Sequence, residues 1–310
     1  MKILNQKETS GNRRAATIIT VCAIFALLTG PVQGQQLTPK TFSSAEEGVR
    51  SLFLAVEENN EDAITGILGT GEDLVSSDNE DQSRSERARF VQKYREMHRL
   101  VRETDGTTVL YLGAENWPFP VPLVSEKGAW RFDVKAGAAE ILFRRIGENE
   151  EAAIEASHLL VRAEMSYKTR LHSGDLVSHY ALRFASTDGA DDGLYSDDDS
   201  PIPAFLAAAG VSDQATQDEK RAPYAGYYLR ILTEQGKDAP GGAQNFISNG
   251  NLIGGFAFVV YPAEYGSSGV MTFIVGQDDV VYQKDLGPGT PAIVNAMSRY
   301  NPGRGWRPAE

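Results

Sequence analysis

The stretch YPAEYGSSGVMTFIVGQDDVVYQKDLG, Tyr261 to Gly287, decides the fold. GVMTFIV and VVYQK are short runs rich in β-branched residues, and GGFAFVVYP overlaps its start as a third. AEYGSS and GQDD lie between these runs. They carry the residues that turns require, glycine because it accepts positive φ without steric cost. Three strands joined by short polar turns predict an antiparallel sheet of consecutive hairpins. The same stretch holds Glu264, Asp278, Asp279 and Asp285, which a hydrolase of exported polysaccharide could use as paired acid and base. Glu264 is the candidate catalytic residue on that view. Acids at strand ends more often form turns or face water.

Upstream, GYYLRILT (Gly226 to Thr233) extends the β-rich region, and PAIVNAMSRY (Pro291 to Tyr300) predicts a closing helix with proline in its first turn. Residues 138–170 predict one long helix, because Leu142, Ile146, Asn149, Ala153, Ala156, Leu160, Ala163 and Tyr167 recur in steps of four and three. Its alanines permit close approach to a sheet. STDGADDGLYSDDDSPIP, residues 186–203, breaks the period and reads as an acidic loop. Nearer the start, residues 41–68 and SERARFVQKYREMHRLVRE (Ser85 to Glu103) have helical spacing, with Ser43 or Ser44 as N-cap and Glu46 and Glu47 in the first turn. TTVLYLG, PFPVPLVS and AWRFDV follow as strands, and the prolines put the middle one on a sheet edge. The expected fold class is α+β. A small N-terminal α+β domain spans 41–135, and residues 136–302 form a long helix packed on an antiparallel sheet.

The first 34 residues set the compartment. Lys2, Lys7, Arg13 and Arg14 precede the apolar run Ala15 to Leu28, which is short for a bilayer span and ends at Gly30 and Pro31. This is the pattern of a secretory signal peptide, with cleavage expected near Gly34 and Gln35; an uncleaved anchor is the alternative. Removing residues 1–34 leaves 26 basic and 41 acidic residues, a net charge of −15. Such a chain repels phosphate backbones and anionic lipid heads, so neither nucleic-acid binding nor stable membrane insertion after cleavage is expected. The only cysteine, Cys22, leaves with the leader, which excludes disulfides, thiolate metal sites and thiol nucleophiles from the mature protein.

Five segments together carry a family likeness. They are NWPFPVPLV with WRFD (Asn116 to Asp133), EILFRRIGENE (Glu140 to Glu150), DGLY (Asp192 to Tyr195), GYYLRILTEQGKDAPGGA (Gly226 to Ala243) and the stretch from Gly254 to Gly287. In these the chain resembles the exported bacterial family catalogued as domain of unknown function 2950, over nearly all of the mature length. Ser196 stands where an aromatic often follows DGLY, and SDDDS is particular to this chain. The resemblance supplies no catalytic residues. In architecture, a long helix, a variable loop and a sheet ending in a TF-V-D-VVY strand pair are similar to the globular heads of type IV pilins and pseudopilins. The N-terminal unit is similar in element order to cone-shaped folds of the nuclear-transport-factor type.

The acidic loop is the best candidate for a metal. With Asp188 at position one of an EF-hand-like loop, Asp192 falls at five, Gly193 at six and Asp199 at twelve, but position three is Ala190 and position twelve is not glutamate. Calcium is the only cofactor these residues suggest. His172, Asp175 and His179 could share a helical face, though Gly174 weakens that helix and no HExxH or second carboxylate completes a zinc set. His98 and His158 read as solvated flanks of helices. GSSG (Gly266 to Gly269) misses G-x-S-x-G by one position and joins strand to strand, which a nucleophile elbow does not. The expected function is a non-enzymatic envelope protein, periplasmic or secreted, structural or binding in role, with an envelope protein or polymer as partner. The alternatives are a periplasmic hydrolase built on Glu264 and its neighbours, and a calcium-binding envelope protein.

Overall fold

Ser44 opens the first helix: its hydroxyl accepts the Glu47 N–H at 3.1 Å, and the Glu47 carboxylate reaches back to the Ser43 N–H at 2.8 Å. This reciprocal cap starts α1, Ala45–Glu57, which buries Val49 and Leu52. A computed structural model of the chain describes residues 40–69, 80–172, 174–187, 189–197, 200–211 and 222–309, all within one unit, Thr38–Glu310. The leader, residues 1–34, lies outside the described residues, as do Asp188 and Asp199.

The helical spacing over 41–68 is realised as two helices. Asn59 takes a positive φ of 51°, and the Asn60 side chain caps α2, Glu61–Leu68, by accepting the Ala63 N–H at 3.0 Å. The helix expected over Ser85 to Glu103 also differs. Helix α3 spans Glu80–Glu96, and the chain then turns into strand β1, His98–Arg102, which pairs antiparallel with β2, Thr108–Leu112. The cause is the Asp105-Gly106 turn: Asp105 accepts the Thr107 N–H at 2.9 Å and Gly106 sits at φ 91°. A hairpin with its own turn residues outcompetes one further helical turn.

The short strand β3, Trp117–Pro118, pairs only with β2. Strands β4, Leu123–Glu126, and β5, Ala129–Phe132, complete this sheet in the order β1-β2-β4-β5. Its apolar face and the helices bury Leu52, Ile67, Leu110, Leu112, Leu123 and Phe132 as one cluster. Alternation along β2, with Thr108, Leu110 and Leu112 buried, is the period of two that a one-sided sheet imposes.

Asp133 caps the long helix α4, Val134–Tyr167, by accepting the Ala136 N–H at 3.2 Å. The expected stripe is buried only from Ala153 onward, through Ala156, Leu160, Ala163 and Tyr167. Asn149 and Glu150, just before it, clamp the sheet: Asn149 donates to the Ser268 carbonyl at 2.8 Å, and one Glu150 oxygen accepts the N–H groups of Val270 and Met271, both at 2.9 Å.

The larger sheet runs in the order β16-β14-β13-β12-β7-β6. Its strands are β6, Gly210–Val211; β7, Tyr227–Leu232; β12, Ala257–Pro262; β13, Met271–Gly276; β14, Val281–Asp285; and β16, Arg307–Pro308. The three strands expected within and before the opening stretch are β12, β13 and β14, antiparallel neighbours with Val260 opposite Phe273 and Val275 opposite Val281. Every residue of β12 is buried, so both its faces are covered; α4 and α6, Thr290–Asn295, pack on it. The helix expected to reach Tyr300 ends at Asn295, and Arg299–Tyr300 becomes strand β15. It joins β8, Glu234–Gln235, and β9, Gln244–Asn245, in a small sheet. A two-strand ribbon, β10 (Ile247–Ser248) with β11 (Asn251–Leu252), and the short helix α5, Ala204–Ala208, complete the α+β fold.

Candidate functional site

Glu264 lies in the turn between β12 and β13, where Ser268 folds back on it: the Glu264 N–H donates to the Ser268 hydroxyl at 2.9 Å, and its carbonyl accepts the Ser268 N–H at 2.9 Å. Its side chain is exposed. Asp285 is at the same end of the sheet, engaged by the Tyr265 hydroxyl at 3.2 Å and the Gly287 N–H at 2.8 Å. Asp278 and Asp279 belong to the opposite turn, separated from Glu264 by the length of β13, roughly 17 Å at about 3.3 Å per residue. Asp278 faces the Tyr300 hydroxyl at 3.5 Å, and Asp279 meets His158 Nδ1 at 2.7 Å. The four acids therefore do not converge on one reacting bond.

The acidic loop is arranged by its own side chains. Asp192 accepts the Thr187 N–H at 2.8 Å and faces Arg183 Nε at 3.4 Å, which commits both of its oxygens. His172, Asp175 and His179 do come together, as a turn beyond the end of α4. His172 is buried, stacked on Tyr167 with ring centroids 3.6 Å apart, and lies between Asp191 Oδ2 at 2.9 Å and the Tyr167 carbonyl at 3.0 Å. His179 lies between Asp175 Oδ2 at 3.0 Å and the Tyr180 carbonyl at 2.8 Å. The His179 hydrogen bond is the main cause holding the Asp175 carboxyl below its usual range. Among the described residues no group of three or more His, Cys, Asp or Glu is placed to hold a metal ion.

Beside this turn, Glu164 is fully buried. One oxygen accepts the Ala181 N–H at 2.8 Å and the other has no partner. Burial drives its pKa well above the ordinary value, against the smaller opposing effect of that hydrogen bond. The protonated acid is the form such an environment favours.

An open groove of about 910 Å3 runs along the small sheet β15-β8-β9. Glu234, Lys237, Gln244, Asn245, Ser298 and Arg299 give it a polar lining. Parallel pairing of β8 with β15 sets Arg299 beside Glu234, and Arg299 Nε donates to its carboxylate at 2.6 Å. The loop 236–243 that forms one wall is fastened from both sides. Buried Gln235 donates to the carbonyls of Pro240 (2.9 Å) and Gly242 (2.6 Å), while Asn301 accepts the Asp238 N–H at 2.9 Å and donates to the Asp238 carboxylate at 3.0 Å. Gly236 makes the fit possible, since a Cβ there would stand 2.3 Å from Asn301 Oδ1.

The opposite wall depends on Arg230. This buried residue of β7 donates to the Val294 carbonyl at 2.7 Å, the Asn295 carbonyl at 3.2 Å and the Met297 carbonyl. A guanidinium at a helix C-terminus meets the negative end of the dipole and the carbonyls left without intrahelical partners. The groove is thus bounded by fastened loops and displays an ion pair and two amides beside the apolar side chains of Ala243, Ala296 and Met297. It was missed in the sequence because its two walls lie more than fifty residues apart.

A family model described as protein of unknown function (DUF2950) matches residues 39–309, and the chain belongs to that family. No curated protein and no solved structure gives a significant match.

Proposed function

We propose that this DUF2950 protein is an exported, non-enzymatic component of the cell envelope that acts by binding, with the polar groove along β15-β8-β9 as its contact surface. The observation that carries this reading is the dispersal of the carboxylates. Glu264 and Asp285 lie at one end of the sheet, Asp278 and Asp279 at the other, and three of the four are occupied by local partners. Catalysis by paired acids needs both within reach of a single bond. The groove supports the binding role, because fastened loops present polar groups without an ordering cost on association. The basic and apolar leader supports export. Helix α4 laid across β12 to β14 supports the comparison with pilin-type heads.

The test uses the full chain and a washed envelope fraction. Saturable retention is expected, reduced several-fold in Lys237→Ala/Arg299→Ala, with no turnover of polysaccharide or peptide substrates. Turnover that Glu264→Gln abolishes would replace this reading with the hydrolase. Retention unchanged in the double variant would move the contact surface elsewhere.

A further inference from the structure

A second cleft, of about 420 Å3, lies between α4 and α5 and shares no lining residue with the polar groove. We infer that it is a binding site for a pyranose ring of a neutral saccharide. Its volume is within the range of small-ligand clefts.

One side of the cleft is an aromatic platform. Phe205, in α5, is 59% exposed although it is a large apolar side chain, while its neighbours Leu206 and Ala207 are buried and anchor the helix. Its ring stacks on Tyr224 with centroids 5.3 Å apart and planes 20° from parallel. An exposed ring backed by a second ring is a flat, preorganised apolar surface.

The other side is polar and comes from one face of α4. Glu155, His158 and Arg162 are spaced i, i+3 and i+7 and so project together. Asp279, from the turn between β13 and β14, fixes the middle one. Its carboxylate lies 2.7 Å from His158 Nδ1 and holds that nitrogen, so Nε2 is the ring atom left to meet a ligand. Glu155 and Arg162 have no ion-pair partner among the described residues.

The cleft therefore offers an apolar plane beside a carboxylate, an imidazole nitrogen and a multidentate guanidinium donor. A pyranose matches this with an apolar C–H face and a rim of hydroxyls that both donate and accept. A lipid tail would bury Glu155 and Arg162 unpaired, at a cost of kilocalories per group. A phosphorylated ligand would meet Glu155 against a single arginine, in a chain of net charge −12.

The test is calorimetric titration of the full chain with chitotetraose, cellotetraose and tetragalacturonate at millimolar concentration. Saturable binding of at least one of the two neutral sugars is expected. Phe205→Ala should weaken it about tenfold or more and leave the unfolding midpoint unchanged, because the side chain is on the surface. Asp279→Asn is tolerated by the backbone, since asparagine accepts the positive φ of 56° there. Its amide holds the ring less firmly than the carboxylate, since its oxygen is uncharged and its NH2 can equally face Nδ1, so Nε2 is less well aimed and binding again weakens several-fold. Arg102→Ala, at the exposed end of β1 and outside both clefts, should leave sugar binding unchanged. Absence of saturable binding to both neutral sugars would overturn the inference. So would variants Phe205→Ala and Asp279→Asn that bind as tightly as the wild type, or a preference for tetragalacturonate.

Discussion

Replacing Arg230 by methionine keeps the length and the apolar stem of the side chain and removes the guanidinium. Arg230 touches the carbonyls of Val294, Asn295 and Met297, and Val294 is itself fully buried. Asn295 is exposed and Met297 half-exposed, so water can reach the region of their carbonyls after the substitution. The Val294 carbonyl has no such replacement. A buried polar group left without a partner costs about 1–3 kcal/mol, and hydrogen bonds to a charged donor contribute about 1.5–3 kcal/mol. Part of that loss is returned, because the guanidinium no longer has to be desolvated. A net destabilisation of about 3 kcal/mol is the expected result. For a protein of this size it corresponds to roughly 6–12 °C in the unfolding midpoint. Arg230→Lys should lose about half as much, since one ammonium reaches fewer of the three carbonyls than a fork does. Thermal and urea unfolding of the three proteins decides the matter. A methionine variant within about 0.5 kcal/mol of the wild type would refute the reasoning, as would a lysine variant no better than methionine.

Glu164→Gln should stabilise the protein at neutral pH and lose that advantage in acid. Burial raises the folded-state pKa above the ordinary 4.5, so the folded form holds the proton more tightly than the unfolded chain. The stability from this group is complete below pH 4.5 and declines as pH rises through the folded value. Glutamine lacks the decline and still accepts the Ala181 N–H; a stability difference that does not vary with pH would contradict this. Gly269→Ala should cost about 1–3 kcal/mol by overpacking, because a Cβ there would stand 2.0 Å from the hydroxyl of the buried Tyr227. Unfolding midpoints measure it, and an unchanged midpoint would mean that Tyr227 yields freely. Glu150→Ala should leave the Val270 and Met271 N–H groups without their acceptor and speed hydrogen exchange at those two amides; exchange at the wild-type rate would contradict the clamp.

Much of the C-terminal sheet is legible from residue pattern alone. FAFVVYP, GVMTFIV and VVYQK alternate with turns whose glycines and aspartates have local causes, and strands β12 to β14 follow them closely. The Ala153 to Tyr167 stripe is legible for the same reason, as a period of 3.6 reports one buried face. Legibility fails where contacts are distant. Nothing near His158 indicates that Asp279, 121 residues later, will hold its ring. Nor does a two-residue strand at Arg299–Tyr300 announce that it will pair in parallel with Glu234–Gln235. Val101 kept the helical spacing of α3, and only the Asp105-Gly106 turn reveals that a hairpin competes for it. In the opening stretch, most of the polar residues that resemble an active site are turn-formers, and one of them, Asp279, orients a histidine on another element.

The most direct measurement is hydrogen–deuterium exchange of the full chain with and without washed envelope material, while soluble sugars and peptides released from that material are quantified in the same samples. Protection of amides in 234–245 and 296–301 is expected, with no release above the level without protein. Release that grows with enzyme-like turnover, or protection absent from both segments, would contradict the proposed binding role.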